Sequence, residues 1–262
     1  MSLKTLLLPY ISRWLFSRQR LLNKRTQAER QRKAKNAPHR VHYFHQVDDP
    51  YSALTVAALP ALLARYDIEL QVHIVDAPPD SAAPERDKLI AYSRVDAERI
   101  ATRYGLTFKD PGQQPAPEAV ATASACLVAN HEAETFAALA SRLTQNLWKT
   151  GTDLFTGIKV PVASASAVNA HKASANALRN QLGHYLGATF FYAGEWYWGI
   201  DRLYHLEQRL QDVQAQRPGV EGVLFPPVAD LSTPVKCINP PPIDFFFSFR
   251  SPYSAIVAER VF

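Results

Sequence analysis

The sequence predicts an α/β fold, and three observations carry that prediction. A strand pattern, an apolar helix and a second strand pattern follow one another with short links between residues 40 and 75. A middle block rich in alanine has helical periodicity. The chain then returns to two short strands joined by Ala193-Gly194, and closes on a helix. Strand, helix, strand with short connections is a βαβ unit, which lays its strands parallel with a right-handed crossover.

Each element has a local reason. From Arg40 to Val47, Val41, Tyr43 and Val47 alternate with polar neighbours, and Phe44 adds strand preference. The strand stops at Asp48-Asp49-Pro50. Proline suits the first turn of a helix, where its missing N–H costs nothing, and Asp49 before it can cap the free amides. Residues 51–65 then read as an apolar helix, with a kink expected at Pro60. Leu70–Val75 alternates as a second strand. Residues 85–104 are helical and close on Gly105, and residues 117–148 and 164–182 continue a helical insert. Residues 188–192 and 195–198 form a hairpin on a two-residue turn, and Arg202–Ala215 is the last helix.

The chain has 262 residues, 47% hydrophobic and 20% charged, which is globular composition and excludes a wholly disordered protein. No apolar run reaches the length of a membrane span. The two cysteines, Cys126 and Cys237, lie 111 positions apart, which excludes a disulfide framework, a cysteine zinc site and a CxxC pair. The histidines His42, His45, His73, His131, His171, His184 and His205 show no metal-ligand spacing.

The net charge of +5 hides an asymmetry: residues 1–40 carry +10 and the remainder −5. Residues 3–22 put Leu3, Leu7, Tyr10, Ile11, Trp14, Leu15 and Leu22 on one helical face, and residues 24–40 are polar and basic. Three readings stay open for this arm. It packs on the body or a partner and continues as a solvated linker, it lies on an anionic membrane surface, or it binds nucleic acid. A charge run alone is the whole case for the last, so no nucleic-acid partner is expected. Arg13 and the lack of a small-x-small site argue against a secretory signal, and the expected location is cytoplasmic, with peripheral membrane contact through the arm.

The order βαβ, helical insert, ββα is that of a thioredoxin fold with a helical insertion. Four segments narrow it: VHYFHQVDDPYSAL (41–54), YSRVDAERIATRYGLTF (92–108), GHYLGATFFYAGEWYWGIDRLYHLE (183–207) and IDFFFSFRSPYSAIVAERVF (243–262). With them the chain resembles the DsbA-like family, and within it 2-hydroxychromene-2-carboxylate isomerase and kappa-class glutathione transferases. The fourth segment looks like the start of a second copy. Shifted by 202 positions, Phe44 meets Phe246, Pro50 meets Pro252, Tyr51 meets Tyr253, Ser52 meets Ser254 and Ala53 meets Ala255, while Asp49 meets Ser251. The expected organisation is an arm at 1–38, a DsbA-like domain at 39–215 with its insert at about 85–182, a proline-rich linker at 216–242, and a truncated second repeat at 243–262. That last piece implies a fragment of a longer tandem protein, the favoured reading, or a segment that packs on the first unit or on another chain, the open edge of its apolar strand 243–249 favouring association.

In the family, the turn from strand to helix holds the reacting sulfur. Free N–H groups and the positive end of the helix dipole stabilise a thiolate there. No cysteine lies near either turn, so dithiol exchange is excluded at both. Asp49 occupies the first turn. A carboxylate accepts hydrogen bonds and donates none, so it reads as an N-cap or as a catalytic carboxylate. Tyr51 and Ser52 lie one turn in and could donate to a ligand, and Tyr51 also reads as a packing residue. The resemblance places a backbone clamp at Gly187-Ala188, where the family has a cis-proline. Alanine opposes the cis form by roughly 2.5–4 kcal/mol, so a trans peptide and a lost clamp are expected. It places Ile200 and Asp201 at the γ-glutamyl end of glutathione, with Asp201 also read as a helix cap. The family's lysine has no firm match, Lys88 being shifted by one. Tyr51, Trp196 and Trp198 are expected to face an apolar substrate. Ser251 has the better-preserved reacting turn. The resemblance therefore implies glutathione as cofactor and a small electrophile as substrate. The function expected is a glutathione-dependent isomerase or transferase with a degenerate first active site. A non-catalytic thioredoxin-like module is the alternative, and nothing in the chain supports a thiol-disulfide oxidoreductase.

Overall fold

The computed structural model describes residues 17–149 and 158–227, with isolated positions at 14, 153, 239, 242, 244–248, 251, 254 and 257–258. The chain divides into two units, residues 1–227 and 228–262. Most of the apolar face expected at residues 3–22, the second cysteine Cys237, and Pro252, Tyr253 and Ala255 of the repeat lie outside the described residues.

In the first unit, β1 (Arg40–Gln46), α2 (Pro50–Arg65) and β2 (Glu69–Val75) form the expected βαβ unit, preceded by α1 (Arg18–Ala34). The strands pair in parallel from Arg40 opposite Glu69 to Gln46 opposite Val75. The insert contains α3 (Arg86–Tyr104), α4 (Pro117–Ala129), α5 (Ala133–Leu147) and α6 (Ala165–Gln181). The block at 117–148 is thus two helices, parted where Asn130 turns its amide back to Leu127. β3 (Thr189–Tyr192) and β4 (Glu195–Trp198) follow, then a short 3-10 turn (Ile200–Arg202) and α7 (Leu203–Asp212). The sheet order is β2-β1-β3-β4, with β3 antiparallel to both neighbours. At the hairpin tip both Ala193 (φ 48) and Gly194 (φ 88) have positive φ, which is why the turn ends on glycine.

Side-chain alternation builds two cores. Val41, Tyr43, Val72, Ile74, Phe190 and Tyr192 enter the larger one with α2, α5 and α7. Phe44, Val75, Phe191 and Trp196 enter a smaller one against Ala175 and Leu178 of α6. α2 runs uninterrupted through Pro60, which is exposed. Cys126 is free and fully buried, and burial pushes its thiol up.

Two stretches differ from expectation. The basic segment after residue 24 is not a solvated linker, because α1 continues to Ala34. Its polar face is docked: Arg25 holds Glu195 of β4 with both nitrogens (2.8 and 2.6 Å), and Arg209 donates to the Arg25 carbonyl (3.2 Å). Residues 216–225, expected as linker, pack on the first unit. Gln216 bridges to Tyr66, Arg217 N–H donates to Arg65 O (2.8 Å) and Leu224 N–H donates to the buried Glu207 (2.8 Å). No described helix is long and apolar enough to cross a membrane.

Candidate functional site

β1 ends where α2 begins, and that corner is closed by its own side chains. Asp49 N–H donates to Gln46 O (3.2 Å). The Asp49 carboxylate accepts from Tyr51 N–H (3.3 Å), Ser52 N–H (2.8 Å) and the Ser52 hydroxyl (2.8 Å). Ser52 Oγ in turn accepts Gln46 N–H (3.2 Å). The N-cap reading of Asp49 describes this geometry, and Ser52 is spent on the cap and unavailable as a donor to ligand. Burial pushes Asp49 up to about 6, against the hydrogen bonds from Ser52 and Tyr51 that lower it.

Gly187 is needed for a different reason from the one expected. A Cβ there would lie 2.6 Å from Gln46 Cβ and 3.1 Å from Ser52 Oγ, so glycine lets the strand approach the corner. The next residue, Ala188, is fully buried with φ 53 behind a trans peptide, and its carbonyl accepts Gly199 N–H (2.9 Å). That carbonyl is thereby engaged within the protein.

A cleft of about 260 Å³ opens in front of the corner. Asp49, Tyr51, Gly187 and Trp198 line it, whereas Ala188, Ile200 and Asp201 lie outside its walls. Ile200 is buried in the larger core. Asp201 makes no capping bond, and its carboxylate pairs with the adjacent Arg202 (3.0 Å). Arg202 lies over the Trp198 ring (5.2 Å), and Trp198 meets Tyr51 edge-on (5.3 Å). Tyr51 is therefore both a packing residue and a donor, its hydroxyl going to Asp96 (2.8 Å). Trp196, two residues along β4, instead packs against Phe44 and His184 and donates to Leu182 O (3.1 Å).

Sequence reasoning missed part of the wall. Asp48, Arg86 and Gln114 all line the cleft. Asp48 was legible as the neighbour of the cap. Gln114 comes from an irregular loop without periodicity, and reaches in by donating to Asp48 O (3.0 Å). Lys88 is exposed and paired with Glu85 (2.9 Å), and lies outside the wall.

These groups do not fit glutathione at the first corner. The helix amides that would face a thiolate are held by Asp49, which also opposes an anion. Among the described residues no group of three or more side chains is placed to hold a metal ion. His42 and His73 form a hydrogen-bonded pair (2.9 Å) on adjacent strands.

The second unit repeats the corner. Ser251 N–H donates to Ser248 O (3.0 Å), Ser248 N–H to Ser254 Oγ (3.2 Å) and Ser254 N–H to Ser251 Oγ (3.4 Å). Position for position these are the bonds of Asp49, Gln46 and Ser52. The strand expected at 243–249 is not formed among its described residues: 244–248 join no sheet, and Phe246 is 89% exposed. A strand needs a ladder partner, and none is present there among the described residues.

A solved structure of 2-hydroxychromene-2-carboxylate isomerase superposes with a TM-score of 0.50 at 17% sequence identity, over 66% of this chain and 95% of that one. This chain has the DsbA-like thioredoxin fold. The likeness speaks for the fold alone. No family description matches the chain, and no curated protein matches it.

Proposed function

We propose that this is a DsbA-like protein of the glutathione-dependent isomerase or transferase type, with a degenerate first site and its sulfur chemistry at the Ser251 corner. The observation that supports this is the matched pair of corners, one capped by Asp49 and the other by Ser251. An aspartate ties up the helix amides and repels an anion. A serine that accepts one amide keeps its own hydroxyl proton for donation. Glutathione, when bound, would supply the thiol that adds to an unsaturated small molecule. What the chain contributes is the Ser251 hydroxyl and, by the family resemblance, the start of a helix, which favours negative charge.

Calorimetry with glutathione on the full-length protein tests this reading. Binding is expected in the wild type, lost in Ser251→Ala and retained in Asp49→Asn. Absence of binding at millimolar glutathione overturns it, as does loss on substituting Asp49 alone. Asp49→Ser then asks whether the first corner regains a glutathione site once its carboxylate is gone.

A further inference from the structure

The first cleft keeps a volume, a largely apolar wall and an aromatic side without an anion-binding corner. Leu89, Ile90, Leu186 and Pro78 supply the apolar surface, and Trp198 and Tyr92 the rings. The polar groups of the wall are unevenly engaged. Most of its donor side chains have partners within the protein, while the Trp198 indole N–H and the Tyr92 hydroxyl face the cleft without one among the described residues. Arg86 donates to Asp80 (2.9 Å) and Pro78 O (2.8 Å), Gln46 to Asp48 (3.0 Å), Gln114 to Asp48 O (3.0 Å), Ser93 to Leu89 O (2.7 Å) and Tyr51 to Asp96 (2.8 Å). The acceptors are under-used. Asp48 takes its side-chain bond on Oδ1, and Asp49 Oδ1 has only the long 3.3 Å bond from Tyr51 N–H. A carboxylate has about four lone-pair directions, so both acids can still accept.

The spare capacity of these two carboxylates favours a ligand that brings donors and positive charge. We propose that the first cleft binds a small protonated amine with an apolar or aromatic body, Asp48 and Asp49 receiving the ammonium and Trp198 flanking the body. An ammonium supplies three donors to two carboxylates, and the Trp198 ring offers apolar surface to the body of the ligand. This goes beyond the glutathione reading: it concerns the other corner and stands or falls without Ser251.

The test is calorimetry on the full-length protein near pH 7.5 with three probes of one shape: 2-phenylethylamine, 2-phenylethanol and 3-phenylpropanoate. The amine is expected to bind at least about tenfold more tightly than the alcohol or the carboxylate. Asp48→Asn and Asp49→Asn should each weaken the amine about fivefold or more while leaving the alcohol unchanged. Asparagine is as good an N-cap as aspartate, so the corner is retained, and circular dichroism verifies it. Equal affinity for amine and alcohol, preference for the carboxylate, indifference to both substitutions, or no amine binding at millimolar concentration overturns the proposal. Failure of glutathione to depend on Ser251 would leave all of these outcomes unaffected.

Discussion

Residues 46, 49 and 52 and residues 248, 251 and 254 make the same hydrogen-bonded corner under different conditions. In the first, a strand of a four-stranded sheet runs in and Ser52 is fully buried. In the second, the described residues before the turn belong to no sheet and Ser254 is only partly buried. Yet three hydrogen bonds recur at matched positions. The pattern is therefore local. A side-chain acceptor at the cap and a serine three residues on suffice, as in other Asx and serine turns. Two things differ: the chemistry of the cap, which decides what the corner can do, and burial, which decides how much its bonds weigh.

Burial sets the largest expected contrast. Ser52 is at once acceptor for Gln46 N–H and donor to Asp49, and Ser52→Ala strands the Gln46 N–H and takes one of three bonds from the Asp49 carboxylate. Leaving buried polar groups without partners costs about 2 kcal/mol, or roughly 4–8 °C in melting temperature for a chain of this size. Ser254→Ala removes the matching bond from Ser248 N–H where water can replace it, and should cost under about 0.5 kcal/mol. Thermal unfolding of the two variants measures this. Equal losses would break the claim that burial separates the corners.

What was legible in the sequence follows the same division. The strands at 41–47 and 70–75, the cap at Asp49 and the hairpin tip at Ala193-Gly194 are written in local pattern, and the fold follows from them. The matched corner was legible because identical residues recur at one offset. The cleft was half legible. Asp49, Tyr51, Gly187 and Trp198 sit at elements that motifs mark, but Arg86 and Gln114 arrive through tertiary packing of the insert, which no local period encodes. The need for glycine at position 187 was not legible for a similar reason. It comes from Gln46, 141 positions away in the chain. Asp201 was expected to serve a ligand, and it pairs with its own neighbour. Docking of the arm on the body was one of its three readings, but the contacts were not legible because α1 uses ion pairs and not an apolar stripe.

A mid-sized effect concerns pH. Burial raises the folded Asp49 carboxyl to about 6 from an ordinary value near 3.8. The folded state thus holds this proton more tightly than the unfolded chain. The Asp49 contribution is most favourable below about pH 4 and is lost as pH rises through about 6. Asp49→Asn keeps the cap and removes the titration. The stability of the Asp49→Asn variant relative to wild type should therefore grow by about 1 kcal/mol between roughly pH 4 and pH 7, less than the full shift because the carboxylate opens on the cleft. Denaturant unfolding across that range measures it. A flat difference would show that the first corner does not strain its acid, and would erase one distinction between the two turns.

The smallest effect comes from converting the second cap into the first. Aspartate and serine are nearly equal N-caps, so Ser251→Asp should change stability by no more than a few tenths of a kcal/mol. Its effect belongs on one amide. Ser254 N–H now reaches Ser251 Oγ at 3.4 Å, while its counterpart, Ser52 N–H, reaches the Asp49 carboxylate at 2.8 Å. A charge-assisted bond is shorter and roughly twice as strong, and the helix dipole favours the added negative charge. Hydrogen exchange at Ser254 N–H should therefore slow about two- to fivefold in Ser251→Asp, with the other amides of the second unit unmoved. An unchanged rate at that amide would mean that residue 251 does not hold it. The two corners would then share a sequence without sharing a structure.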